Sequence, residues 1–200
     1  MDIAEIRTKT MSMADKVYDI VGLVEKGFTE NRLEPLTGAM KEEDEVNGME
    51  KALTICILES SKSAKGEKEK RALSTWEGVV EMLERMGDEA ASLIERIEIK
   101  VDEKLLFSDT GVEQFDETYG VMKRSVEMMR DYLKEQSPAL KERIIDNGFH
   151  VKELVERYRK EHTDRLIQGI CSPIAANMFF DMLDFTGNLA RHASNIVKLF

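Results

Sequence analysis

The chain has 200 residues, with 34% charged, 42% hydrophobic and only three prolines. That composition fits a folded chain with a substantial core and excludes a disordered or low-complexity one. Acidic residues outnumber basic ones by 39 to 29, a net charge of −10, so the surface as a whole repels a phosphate backbone and general nucleic-acid binding is excluded. The longest apolar runs, such as Ala52–Leu58, fall far short of the ~20 residues that span a bilayer, so direct membrane insertion is not expected. The opening MDIAEIRT lacks a basic then apolar signal pattern. Two cysteines, Cys56 and Cys171, make no disulfide framework, and their apolar neighbours predict two buried structural thiols. Together these features predict a cytoplasmic location.

In chain order, the apolar spacing predicts a first helix from Ile3 to Thr29, with Met11, Ala14, Val17, Val21 and Val24 on its buried face. A second begins around EPLTGAM, with Pro35 in its first turn, and runs through Met49, Leu53, Ile57 and Leu58 to Ser63. The polar stretch after it is a turn. A third helix spans Glu67 to Asp102, with a stripe of Leu73, Trp76, Val80, Leu83, Gly87, Ala90, Ile94 and Ile97. Ser108 or Asp109 caps a fourth, which places Val112, Phe115, Tyr119, Met122, Val126 and Met129 on one face. Ser137-Pro138 and Ser172-Pro173 open the fifth and sixth, each with proline at the first helical position. No strand pattern intervenes, so the fold class is all-α.

A shift of 103 residues lays Glu89–Ile94 over His192–Val197, Trp76 over Phe179 and Val80 over Leu183. This weak repeat predicts two three-helix bundles side by side, residues 1–103 and 104–200.

Enzyme signatures are missing: GxxxxGK[ST], GxGxxG after a strand, GxSxG and HExxH do not occur. His150, His162 and His192 are too widely spaced for a local metal motif and read as solvated or hydrogen-bonded residues. Among carboxylates, Glu84 and Asp88 lie one turn apart on one helix face, a spacing that suits a hard or borderline cation. The same spacing recurs at Asp15/Asp19 and Glu113/Glu117, so spacing alone leaves a solvated helix face as the default.

The surrounding residues add a resemblance. Leu83–Ile97, LERMGDEAASLIERI, followed after a break by LFSDTGVEQFDETYGVM, resembles a PhoU domain. The second half contains His162-x-x-Arg165-Leu166-x-x-Gly169-x-Cys171-Ser172-Pro173 and then His192-Ala193-Ser194-Asn195-Ile196. That pattern is similar to the PhoU-like domain attached to bacterial sodium/phosphate cotransporters, here without a membrane-spanning segment. The resemblance implies two three-helix bundles with pseudo-twofold internal repetition and a non-enzymatic role in phosphate homeostasis. Its implied partner is a phosphate transporter or its sensor complex at the inner membrane face. It also implies metal binding, to iron, zinc or manganese, through E(D)xxxD motifs on two helices of each bundle.

Carried over by position, the third-helix motif is Glu84-x-x-x-Asp88, and the second-helix motif is Glu43-x-x-x-Asn47, where Asn keeps an oxygen but not the charge. In the second half the corresponding positions are Gly187 and Arg191 on the sixth helix and Gly148 and Lys152 on the fifth. That degenerate second site is expected to hold no metal, and Arg191 is expected to pair with Asp181, Asp184 or Asp146, or to stand as an ordinary surface arginine. Two other readings stay open: a metal-free helical adaptor that meets its partner through exposed Met and Phe residues, and a carboxylate metal-binding protein or hydrolase using Glu43, Glu84 and Asp88. The lack of E-x-x-H motifs argues against a ferritin-like di-iron enzyme. The Met-rich stretch Met122, Met128 and Met129 is compatible with a homodimer or with an ordinary core.

Overall fold

The structure is a computed structural model that describes residues 2–170 and 172–200. Among these residues it has six helices and no strand: α1 (Ile3–Glu30), α2 (Leu33–Ser63), α3 (Glu67–Asp102), α4 (Asp109–Glu135), α5 (Pro138–Ile167) and α6 (Pro173–Lys198). Their ends follow local chemistry. Asp2 and Glu5 form a reciprocal capping box on α1, and Ser108 and Ser172 accept from Gly111 and Ala175 backbone N–H groups on α4 and α6. Asn31 ends α1 in the left-handed region at φ 50°, a conformation asparagine tolerates, and its backbone N–H reaches the carbonyls of Gly27 and Phe28.

Helices α1, α2 and α3 pack against one another, as do α4, α5 and α6; α3 against α6 and α1 against α4 join the two sets. The α3 stripe is buried along its whole length, from Leu73 to Ile97. Trp76 and Val80, and their counterparts Phe179 and Leu183, are all buried. The join is partly polar. Tyr119 on α4 donates its hydroxyl to the Val21 carbonyl of α1 at 2.8 Å inside the core. Arg96 on α3 pairs with Asp181 on α6 at 3.1 Å, and Asn188 on α6 donates to Glu89 on α3 at 3.1 Å. Lys100, buried near the end of α3, donates to the Asn31 side chain and lies 4.9 Å from the Phe28 ring centroid, which supplies the attraction its lost hydration requires.

Several expectations need correction. Leu58 stands 55% exposed because it lies with Ile55 on the outer face of α2, while the adjacent Leu53 and Ile57 are the buried ones. Met11 and Met49 are half-buried rather than buried. Cys56 is also only partly buried; it lines a surface groove between α1 and α2 with Gly48, Met49 and Leu53. Cys171 lies outside the described residues. Met122 and Met129 are fully buried within the chain and Met128 is half-buried, so this stretch is core. No helix among the described residues is long and apolar enough to cross a membrane.

Candidate functional site: two equivalent helix pairs of opposite charge

On α2, Glu43 and Asn47 are one turn apart; on α3, so are Glu84 and Asp88. The α2–α3 packing brings the two pairs to the same interface. Glu43 is only 4% exposed, and its Oε1 would lie 3.7 Å from a Cβ placed on Gly87, between the two α3 carboxylates. The Asn47 Nδ2 donates to that same oxygen at 2.7 Å. Burial pushes the Glu43 carboxyl above its ordinary range; the Asn47 bond works against this, while the charges of Asp88 and Asp44 add to it. Glu84 is raised as well, first by burial and then by the charge of Asp88 and that of Glu50, with Arg85 opposing. Arg85 itself is engaged by Glu81 at 2.6 Å.

The patch is therefore a set of crowded carboxylates. As a metal centre the donor set does not fit. Among the described residues no three His, Cys, Asp or Glu side chains are gathered closely enough to hold an ion, and the most buried oxygen of the set already accepts an amide N–H.

In the second half the equivalent positions also meet. Gly148 and Lys152 of α5 and Gly187 and Arg191 of α6 all line one cavity of about 520 Å³, together with Asn195 and Lys198. Gly148 is required by close approach, since a Cβ there would lie 2.2 Å from the Ser194 Oγ; that hydroxyl donates to the Ile144 carbonyl at 3.2 Å. Arg191 does not pair with a carboxylate. Asp181 is held by Arg96 and Asp184 by Arg159, Asp146 forms no ion pair with it, and the guanidinium donates instead to the Asn188 side-chain oxygen at 3.2 Å. The carboxylates expected to answer Arg191 were thus claimed by arginines on α3 and α5.

Sequence reasoning placed the four positions but missed Lys198, Asn195 and the apolar wall of the cavity. The recurrence of Arg191, Asn195 and Lys198 at steps of four and three was the available signal.

The H-x-x-R motif has a structural role. His162 is buried and stacks on Phe179 with centroids 4.3 Å apart. Its Nδ1 lies 2.9 Å from Arg165, which donates to Gln114 of α4 at 2.7 Å. Burial, and then the Arg165 charge, lower His162 to about 4. His192 is likewise buried and lowered to about 4, by burial and then by Arg191 and Arg85. His150 is exposed, 3.9 Å from Glu153.

No family model and no curated protein matches the chain. Solved structures do. It is similar to PhoU from Pseudomonas aeruginosa at a TM-score of 0.92 and 16% identity, covering 98% of this chain and 93% of that one. It is similar to the phosphate transport system regulatory protein PhoU from Streptococcus pneumoniae at 0.86 and 12% identity, covering 98% and 92%. A PhoU-like protein from Shewanella oneidensis follows at 0.54 and 13%, covering 97% and 96%. Agreement over nearly the full length of both chains means that this chain has the PhoU fold.

Proposed function

We propose that the protein is a non-enzymatic regulator of phosphate transport, acting in the cytoplasm on a transporter or its sensor at the inner membrane face. The observation that supports this reading best is the near-complete match to the Pseudomonas aeruginosa PhoU fold, joined by the likeness to a Streptococcus pneumoniae protein named as a phosphate transport system regulator. Within the chain, neither helix pair provides a nucleophile beside a base. The buried histidines are held neutral within packed side chains, where each serves the core.

A regulator of this kind needs a contact surface, and one end of the molecule offers apolar side chains. Ile167, Ile170 and Ile174 are exposed around the α5–α6 turn, and Leu106 is 90% exposed in the α3–α4 turn. The two turns lie at the same end, since Phe107 meets Phe179 edge-on at 6.0 Å. Isoleucine and leucine, rather than the Met and Phe residues expected of an adaptor, make up this face.

Affinity capture with the inner-face components of a phosphate transporter and its sensor tests the reading. Retention of the wild type and its loss in Ile167→Asp/Ile174→Asp is the expected outcome. Equal recovery of the two chains, or no recovery of either, contradicts it.

A further inference from the structure

The cavity between α5 and α6 has no part in the contact surface described above. Its α6 wall presents Arg191, Asn195 and Lys198 on one helix face, and Lys152 stands on the α5 side. In a chain of net charge −10, cations ordinarily find carboxylates. Among the described residues Lys198 forms no ion pair or hydrogen bond, Arg191 bonds only to the neutral Asn188, and the Asn195 amide makes no hydrogen bond. Lys152 has a single partner, Glu156 at 3.7 Å on an exposed surface, which contributes little. The acid lining the cavity, Asp184, is neutralised by Arg159. The lining therefore holds uncompensated positive charge and free N–H donors, the chemistry that recognises an oxyanion.

The size and the rest of the lining narrow the class. About 520 Å³ lies within the range of small-molecule pockets and far exceeds one phosphate ion. The wall includes Ile145, Val155 and the 63% exposed Phe149, a surface for a planar apolar group. Beside it the two glycines let α5 and α6 approach closely: a Cβ at Gly148 would lie 2.2 Å from the Ser194 Oγ, and one at Gly187 would lie 3.4 Å from Val155.

We propose that this cavity binds a small organic phosphate, its phosphoryl groups held by Arg191, Lys198 and Lys152 and its planar part lying against Phe149. The proposal is independent of the transporter reading, since it rests on the cavity alone.

Titration calorimetry on the full chain tests it, with ADP and phenyl phosphate as probes and inorganic phosphate and adenosine as comparators. At least one probe is expected to bind at one site per chain, at least tenfold more tightly than inorganic phosphate or adenosine. Arg191→Gln/Lys198→Gln is expected to weaken it at least tenfold, while Lys68→Gln, on exposed α3 surface away from the cavity, leaves it unchanged. Thermal melting of each variant establishes that it is folded. Three results would overturn the proposal: neither probe binding at millimolar concentration, undiminished affinity in the folded double variant, or inorganic phosphate binding as tightly as the better probe.

Discussion

The α2–α3 and α5–α6 helix pairs occupy corresponding places in the two halves and face opposite charges. In the first, burial and neighbouring acids hold the Glu43 and Glu84 carboxyls above their ordinary range. In the second, glycines and cations stand at the corresponding positions and line a cavity. The pairing of one scaffold with two chemistries teaches that the fold alone does not say what either position binds.

The comparison can be broken first by acid, which acts most strongly on the second half. His162 and His192 titrate near 4 in the folded chain, against ~6.5 when unfolded. Between these values the unfolded chain takes up more protons, so stability falls as pH drops from about 6.5 to about 4, by on the order of 3 kcal/mol per histidine at most. The raised carboxyls of Glu43 and Glu84 act in the opposite sense, favouring the fold as they protonate. Urea unfolding across this pH range should show the loss, and His162→Phe/His192→Leu should flatten it; an equal slope in the variant would refute the assignment.

The next effect is steric. Gly148→Ala forces a Cβ onto the Ser194 hydroxyl and should cost about 1–3 kcal/mol, read as a lower melting temperature. Gly48→Ala, where a Cβ meets nothing within 4 Å, should leave melting unchanged or raise it by helix propensity.

Smaller still, Glu84→Gln relieves repulsion at the α2–α3 interface and should stabilise the protein by about 0.5–1 kcal/mol at pH 7. The gain should shrink on acidification, as Glu84 itself becomes neutral. Because the donor set does not fit a metal centre, elemental analysis of protein purified without chelator should find well under one iron, zinc or manganese per chain. A stoichiometric ion that Glu84→Gln/Asp88→Asn removes would reverse that conclusion and turn the expected gain in stability into a loss.

How far the sequence could be read depended on what each feature requires. Helix ends are local events of capping and proline placement, so α3 runs from Glu67 to Asp102 as its pattern predicts and Ser108, Ser137 and Ser172 stand at the predicted starts. The four second-half positions came from carrying the motifs of the resemblance over by position, and all four line one cavity. Partner choice does not. Whether Arg191 or Arg159 takes Asp184 depends on how α5 and α6 are rotated against each other, and one helix period does not fix that. The exposure of Cys56 and Leu58 was illegible for the same reason: apolar residues stand on more than one side of α2, and their spacing does not say which side meets α1 and α3.

The central proposal, that this PhoU-fold protein regulates phosphate transport, is tested most directly by phosphate uptake in cells. The measurement is radiolabelled phosphate uptake with the gene deleted and then restored, under abundant phosphate. The account predicts raised uptake on deletion, returned to the starting rate by the intact chain. Uptake that neither deletion nor restoration alters would contradict it.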